Sequence, residues 1–121
     1  MDATQHFYTV AVRVKLPKDF NEWATSNAVT VAYQTESATN TVSDLDVRIY
    51  NESSSTIVDS LTDQSSTSWA TAVFDDTELN DGGVSDWDAA DQTAVIYLRM
   101  GSASSNYVRI GDITLNYLAS F

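Results

Sequence analysis

Apolar and polar residues alternate with a period of two along most of the chain, which is the pattern of β-strands that bury one face. The first such segment ends at Pro17, and its apolar residues stand at every second position: Tyr8, Val10, Val12, Val14 and Leu16. No long stretch keeps the 3.6-residue period of an amphipathic helix. The pattern therefore predicts an all-β protein.

The same alternation predicts further strands at about 28–35, 43–50, 57–61, 69–73, 92–100 and 106–118. Trp69 shares the phase of Val73 and is predicted to pack in the core. In the last segment the apolar phase changes around Gly111, which predicts a β-bulge or a bend. About seven or eight short strands separated by polar turns predict an antiparallel β-sandwich, jelly-roll-like, in a single domain spanning 1–121.

Charge and composition narrow the range of partners. The chain has 6 Lys and Arg against 17 Asp and Glu, a net charge of −11, and its basic residues are scattered along the sequence. Nucleic-acid binding needs a concentrated basic surface, and an anionic membrane would repel this charge. No apolar run approaches the length of a membrane span, and the first residues do not resemble a signal peptide. We expect neither nucleic acid nor membrane as a partner.

Cysteine and histidine, which often act as nucleophile and general base in enzymes, are absent or scarce in this chain. The chain has no Cys and a single histidine, His6, near its beginning. A thiol nucleophile and a zinc–thiolate site are therefore excluded, and a serine triad would have to form around His6. Pairs of carboxylates are abundant, but an acidic composition supplies them without an active site. The sequence predicts a protein that is not an enzyme and has no catalytic residues.

The acidic stretch 75–91 is the longest break between predicted strands. Calcium prefers six to eight hard oxygen ligands, which such a loop can supply. The spacing differs from the EF-hand loop, because Gly82 and Gly83 precede the acidic pair instead of following it. Two interpretations stay open: a solvated loop without a cofactor, or a calcium site formed by Asp86, Asp88 and Asp91.

Aromatic residues outside the strand pattern are candidates for protein contacts. Phe20 and Trp23 are predicted to plug one end of the core, and Trp87 either is exposed in the acidic loop or folds back to pin it. Tyr50, Tyr97 and Arg99 have the outward phase of their strands and suit a subunit interface, where Tyr and Arg are enriched. The residues selected as interface candidates are Phe20, Trp23, Trp87, Leu118 and Phe121.

Three segments of the second half, 67–74, 94–100 and 107–117, resemble strands of galactose-binding-like jelly rolls. Two groups of proteins share this appearance: carbohydrate-binding modules, and small virion proteins of tailed phages such as capsid decoration proteins and fibre domains. The second resemblance implies a structural virion protein that forms a homo-oligomer, often a trimer, on a major capsid protein at the virion surface. The alternative is a secreted carbohydrate-binding or adhesion module with a glycan as its partner.

Overall fold

The computed structural model describes residues 5–39, 41–52, 56–80, 86–103 and 106–119, without the side chains of Gln5 and Thr56. These residues contain nine strands and one short helix. The strands are β1 Gln5–Lys15, β2 Phe20–Trp23, β3 Val29–Thr35, β4 Ser43–Asn51, β5 Thr56–Gln64, β6 Ala70–Phe74, β7 Thr93–Ala103, β8 Val108–Leu115 and β9 Tyr117–Ala119. The helix, α1, is Asp76–Leu79. No helix within these residues is long and apolar enough to cross a membrane.

Two antiparallel sheets face each other. The larger sheet has the strand order β1-β7-β4-β5 and the smaller sheet has the order β6-β3-β8, while β2 and β9 form a separate pair. Strand β8 contacts β4 and β7 across the interior, and β6 contacts β5. The predicted all-β antiparallel sandwich is confirmed.

The interior is built from the inward phase of the central strands. Alternation places every second residue of β3, β4 and β7 on the inner face, as the sequence predicts. These side chains form the core together with Phe74, Leu79 and the aromatic residues at one end of the sandwich. The fully buried members from the three strands are Val29, Val31, Leu45, Val47, Ile49, Ala94 and Ile96.

The larger sheet is one strand wider than the smaller one. Since β8 lies under β7 and is the last strand of its own sheet, β1 projects beyond the smaller sheet. Tyr8 and Val10 have the inward phase of β1, opposite Met100 and Leu98 of β7, yet they are 69% and 46% exposed. Their predicted core position is wrong, because no strand of the smaller sheet covers them.

Strand β6 has the opposite phase from the prediction. Ala72 and Phe74 are buried, whereas Trp69 is 55% exposed just before the strand begins. Both phases of 69–74 contain apolar residues, so alternation alone does not choose between them. Burial of the Phe74 ring decides the phase, and the predicted core position of Trp69 is wrong.

The bulge predicted near Gly111 is confirmed. Ile110 pairs with Tyr33 and Ile113 pairs with Val31, so two residues of β8 lie opposite the single residue Ala32 of β3. Elsewhere the structure adds strand to the prediction. It forms the short strand β2 and extends β7 to Ala103, beyond the predicted end at residue 100, and it divides the last predicted strand, 106–118, into β8 and β9.

Candidate binding surfaces

Three of the proposed interface residues form an aromatic cluster inside the sandwich. Trp23 lies between Phe20 and Trp87, with ring centroids 5.0 Å and 5.1 Å away and both contacts edge-to-face. All three side chains are buried, and Trp87 is completely so. The plug predicted for Phe20 and Trp23 is therefore confirmed, but their assignment as intermolecular contacts is corrected.

Hydrogen bonds explain why Trp87 is not exposed in the acidic loop. The Trp23 indole Nε1 donates to the Trp87 carbonyl at 2.6 Å, and the Trp87 indole Nε1 donates to the Gln92 carbonyl at 3.1 Å. Gln92 Oε1 accepts from the backbone N–H groups of Asp88 and Ala89. Residues 86–92 thus fold back onto the core, and Trp87 pins them, which is one of the two alternatives for this residue. Its assignment as an exposed contact is wrong.

The two remaining interface candidates lie at the end of the chain. Leu118 is on β9 and is exposed, so its role in a contact stays a prediction. Phe121 lies outside the described residues.

The proposed calcium ligands do not gather around one point. Asp91 pairs with Lys15 at 3.7 Å on the surface. Burial, followed by the negative charge of Asp86, raises the pKa of the Asp88 carboxyl above its ordinary value. Within the described residues, the group of three carboxylates whose oxygens lie within 4.8 Å of one another is a different set, Asp44, Asp46 and Asp63.

Two arginine side chains lie next to the group formed by Asp44, Asp46 and Asp63. Asp46 Oδ2 is 3.8 Å from Arg99 and 4.0 Å from Arg48, and Asp46 Oδ1 accepts the backbone N–H of Asp63 at 2.9 Å. These arginines supply positive charge where two of the three carboxylates, Asp44 and Asp46, are buried. Calcium binding by Asp86, Asp88 and Asp91 stays a prediction.

Another acidic pair, Glu78 and Asp59, lies where α1 contacts β5 of the larger sheet. Glu78 Oε1 accepts the backbone N–H of Asp75 at 3.0 Å, as in a capping box. A hydrogen bond with the Asp59 carboxyl, and then burial, raises the pKa of Glu78 above 4.5. Two carboxyl groups can share a hydrogen bond only when one of them holds a proton, so this contact between α1 and β5 is strengthened in acid.

A groove of about 360 Å³ lies on the outer face of the larger sheet and is here called the outer groove. Tyr50 and Tyr97, whose outward phase the sequence predicts, meet in it edge-to-face with ring centroids 5.1 Å apart. Its lining residues are Thr9, Asp46, Arg48, Tyr50, Asn51, Glu52, Val95, Tyr97 and Arg99. Aromatic surface next to planar polar groups is the usual lining of a small-ligand site.

Basic residues that are scattered in the sequence come together on this face. Arg13, Lys15, Arg48 and Arg99 have the outward phase of β1, β4 and β7, so four of the six basic side chains share one side of one sheet. Arg13 makes a bidentate ion pair with Glu52, in which Nε and Nη2 donate to the two carboxylate oxygens at 2.8 and 2.7 Å. The sequence does not predict this grouping, because only the strand order makes these three strands neighbours.

Among the described residues, strand β1 pairs with β7 alone and so forms one of the two edges of the larger sheet, here called the β1 edge. It pairs with β7 in an unbroken register from Gln5–Ala103 to Lys15–Thr93 and contains no proline and no acidic residue. Phe7 on its outer face, with Tyr8 and Val10 on its inner face, makes the first half of this edge apolar on both sides, before the cations Arg13 and Lys15. Long, flat, apolar edges of this kind readily pair with another strand.

The six-membered ring of the exposed Trp69 lies next to Gly111 of the smaller sheet. A Cβ atom at Gly111 would come within 3.1 Å of both the Trp69 ring and the Ala32 Cβ atom. The absence of a side chain at Gly111 therefore leaves room for the Trp69 ring, and more than half of this residue is exposed.

Comparison with protein-family models, with curated proteins and with solved structures finds no match to this chain.

Proposed function

We propose that this protein is a non-enzymatic structural component of a virion surface, of the capsid-decoration or fibre type, which works by associating with copies of itself and with a major capsid protein. The observation that carries the proposal is the β1 edge. A strand with unpaired backbone groups and exposed apolar side chains on both faces costs solubility unless a partner covers it.

Charge supports the same proposal. A net charge of −11 keeps separate molecules apart in solution, and the strand that would have to make the contact contains none of the 17 acidic residues. Association at the β1 edge therefore brings apolar surface together without placing acidic groups of the contacting strands against one another.

Replacing Val10 with lysine should weaken this association. The added ammonium group would be desolvated when a partner strand covers the edge, so we expect the dissociation constant to rise at least about tenfold, which corresponds to about 1.4 kcal/mol. Light scattering across a concentration series measures the mass of the wild type and of the variant.

Ile57→Lys is the matched control. Ile57 is 47% exposed on β5, the strand at the opposite edge of the same sheet, and so has nearly the exposure of Val10. It should leave the association unchanged. A wild-type protein that stays monomeric at every concentration and does not bind virus particles would contradict the proposed function.

A second candidate function, carbohydrate binding, is favoured by the outer groove. The faces of aromatic rings attract the polarised C–H groups of a sugar, and Arg48, Arg99 and Asp46 offer planar donors and acceptors that suit hydroxyl groups. Both arginine–Asp46 distances exceed the length of a hydrogen bond. Their guanidinium groups can therefore bond to a ligand without breaking a short ion pair with Asp46.

A glycan array followed by calorimetry tests this candidate. If a sugar binds, Tyr97→Ala should weaken the binding about tenfold, or about 1.4 kcal/mol. Trp69→Ala is the control, because Trp69 is the exposed aromatic residue on the other sheet. Loss of binding only in Trp69→Ala would move the site to the smaller sheet, and the absence of any bound glycan would remove the candidate.

A further inference from the structure

We propose that the partner of the β1 edge is a second copy of the chain, whose β1 pairs with it in antiparallel orientation, with Val10 opposite Val10 of the second copy. The inference rests on the proposed function, since it names the partner and the register of the same contact. The two larger sheets then join into one continuous sheet of eight strands, four from each copy.

The distribution of charge on β1 favours the antiparallel orientation. Its cations Arg13 and Lys15 lie at one end of the strand. In-register parallel pairing would put each cation directly opposite its own copy, and like charges in that position are destabilising. Antiparallel pairing places the two basic ends at opposite ends of the contact.

The alternation of faces restricts the register. A shift by one residue would turn the inner side chains of one copy towards the outer face of the other, so only every second register keeps the faces matched. Of these, the register centred on Val10 pairs all 11 residues of β1. It sets Arg13 opposite Phe7 of the second copy and Lys15 opposite Gln5, so neither cation lies opposite a like charge.

The inner face also gains from this arrangement. Tyr8 comes opposite Val12 of the second copy, and the two Val10 side chains meet at the two-fold axis. Cross-strand neighbours of this kind lie about 4.5–5.5 Å apart at their Cβ atoms. The most exposed apolar side chains of the inner face thereby cover one another in the space beyond the smaller sheet.

Strand β8, an edge strand of the smaller sheet, is unsuited to the same symmetric pairing. Strand β1 projects beyond β8 because the larger sheet is one strand wider. Two copies joined through β8 would place the β1 of one in the space that β7 of the other occupies. The bulge at Gly111 and Asp112 further interrupts the edge of β8, and bulges discourage pairing at an edge.

Cysteine cross-linking tests the register, since the chain has no cysteine and any introduced thiol is the sole one in each molecule. Val10→Cys should form a disulfide-linked dimer under mild oxidation, because residues directly opposite each other in a sheet lie within the Cα separation that a disulfide tolerates, about 4.4–6.8 Å. Ile57→Cys is the control and should stay unlinked. Circular dichroism checks that each variant is folded.

A second pair of variants separates this register from its neighbours. Tyr8→Cys alone should not link to itself, since the two copies of residue 8 would stand four residues, roughly 13 Å, apart along the strands. A mixture of Tyr8→Cys and Val12→Cys should link the two variants to each other. Self-linking of Tyr8→Cys, or no linking of Val10→Cys in a protein that light scattering shows to be oligomeric, would overturn this inference and leave the proposed function standing. A protein that is monomeric throughout and does not bind particles would remove both.

Discussion

Replacing Trp87 with alanine is expected to lower the free energy of unfolding by about 3–5 kcal/mol, the largest loss we expect from any single substitution in this chain. The indole ring is fully buried, stacks edge-to-face against Trp23 and donates to the Gln92 carbonyl. Its removal leaves a cavity at the end of the core and releases residues 86–92. The total free energy of unfolding of a typical domain is about 5–15 kcal/mol, so the variant should unfold at a much lower urea concentration than the wild type or not fold stably.

Trp69→Ala provides the comparison within the same residue type. Trp69 is 55% exposed, and its ring lies next to Gly111. Its loss should cost about 1 kcal/mol, because much less apolar surface returns to water. Urea denaturation followed by circular dichroism gives both values. Equal losses for the two variants would mean that the aromatic cluster around Trp87 does not stabilise the fold as described.

Substituting Gly101 with alanine should cost about 1–3 kcal/mol through overcrowding. Gly101 lies on β7 between Phe7 of β1 and Asp44 of β4 in the strand register. An added Cβ atom would come within 2.5 Å of Asp44 Oδ1 and 2.7 Å of the Phe7 ring. Phe7 is half-exposed and can turn away, but the Asp44 carboxylate is buried, so the larger sheet has to distort to admit the methyl group.

Gly111→Ala is the control for this substitution. Its added Cβ atom would meet Ala32 and the Trp69 ring at 3.1 Å, which is a milder overlap, and the exposed indole can shift outwards. We expect a loss below about 1 kcal/mol, within the range of most substitutions near the surface. Neither glycine has a positive φ, so a difference between the two variants measures steric crowding alone. Equal urea midpoints for the two variants would show that the Asp44 side chain moves aside at little cost and that the larger sheet does not require glycine at position 101.

The two tryptophans show where reasoning from local pattern reaches its limit. Trp69 shares a phase with an apolar neighbour and looks like core, while Trp87 stands among aspartates, which left both an exposed and a folded-back position open; the structure exposes Trp69 and buries Trp87. The phase of β6 follows burial of Phe74. The position of Trp87 follows its contact with Trp23, 64 residues away in the chain, and its hydrogen bond to the Gln92 carbonyl. Composition around a residue therefore does not predict whether a distant partner will bury it.

The outer groove could be predicted in part. The alternation places Tyr50, Tyr97 and Arg99 on the outward faces of their strands, and the structure confirms those phases. Their meeting in one groove, with Arg48 beside them, depends on β7 lying between β1 and β4. Nothing within a single segment of sequence encodes that order, since strands far apart in the chain pair through the interior they share.

The sequence by itself determined the β-strands, the inward phase of β3, β4 and β7, the bulge near Gly111 and the absence of thiol chemistry, because each of these depends on residues adjacent in the chain. Only the tertiary structure decided which strands are edges and how wide each sheet is. Alternation specifies which way Tyr8 and Val10 point, but burial requires a second surface opposite them. The smaller sheet ends at β8, so the same apolar pattern that forms core in β3 forms an exposed edge in β1.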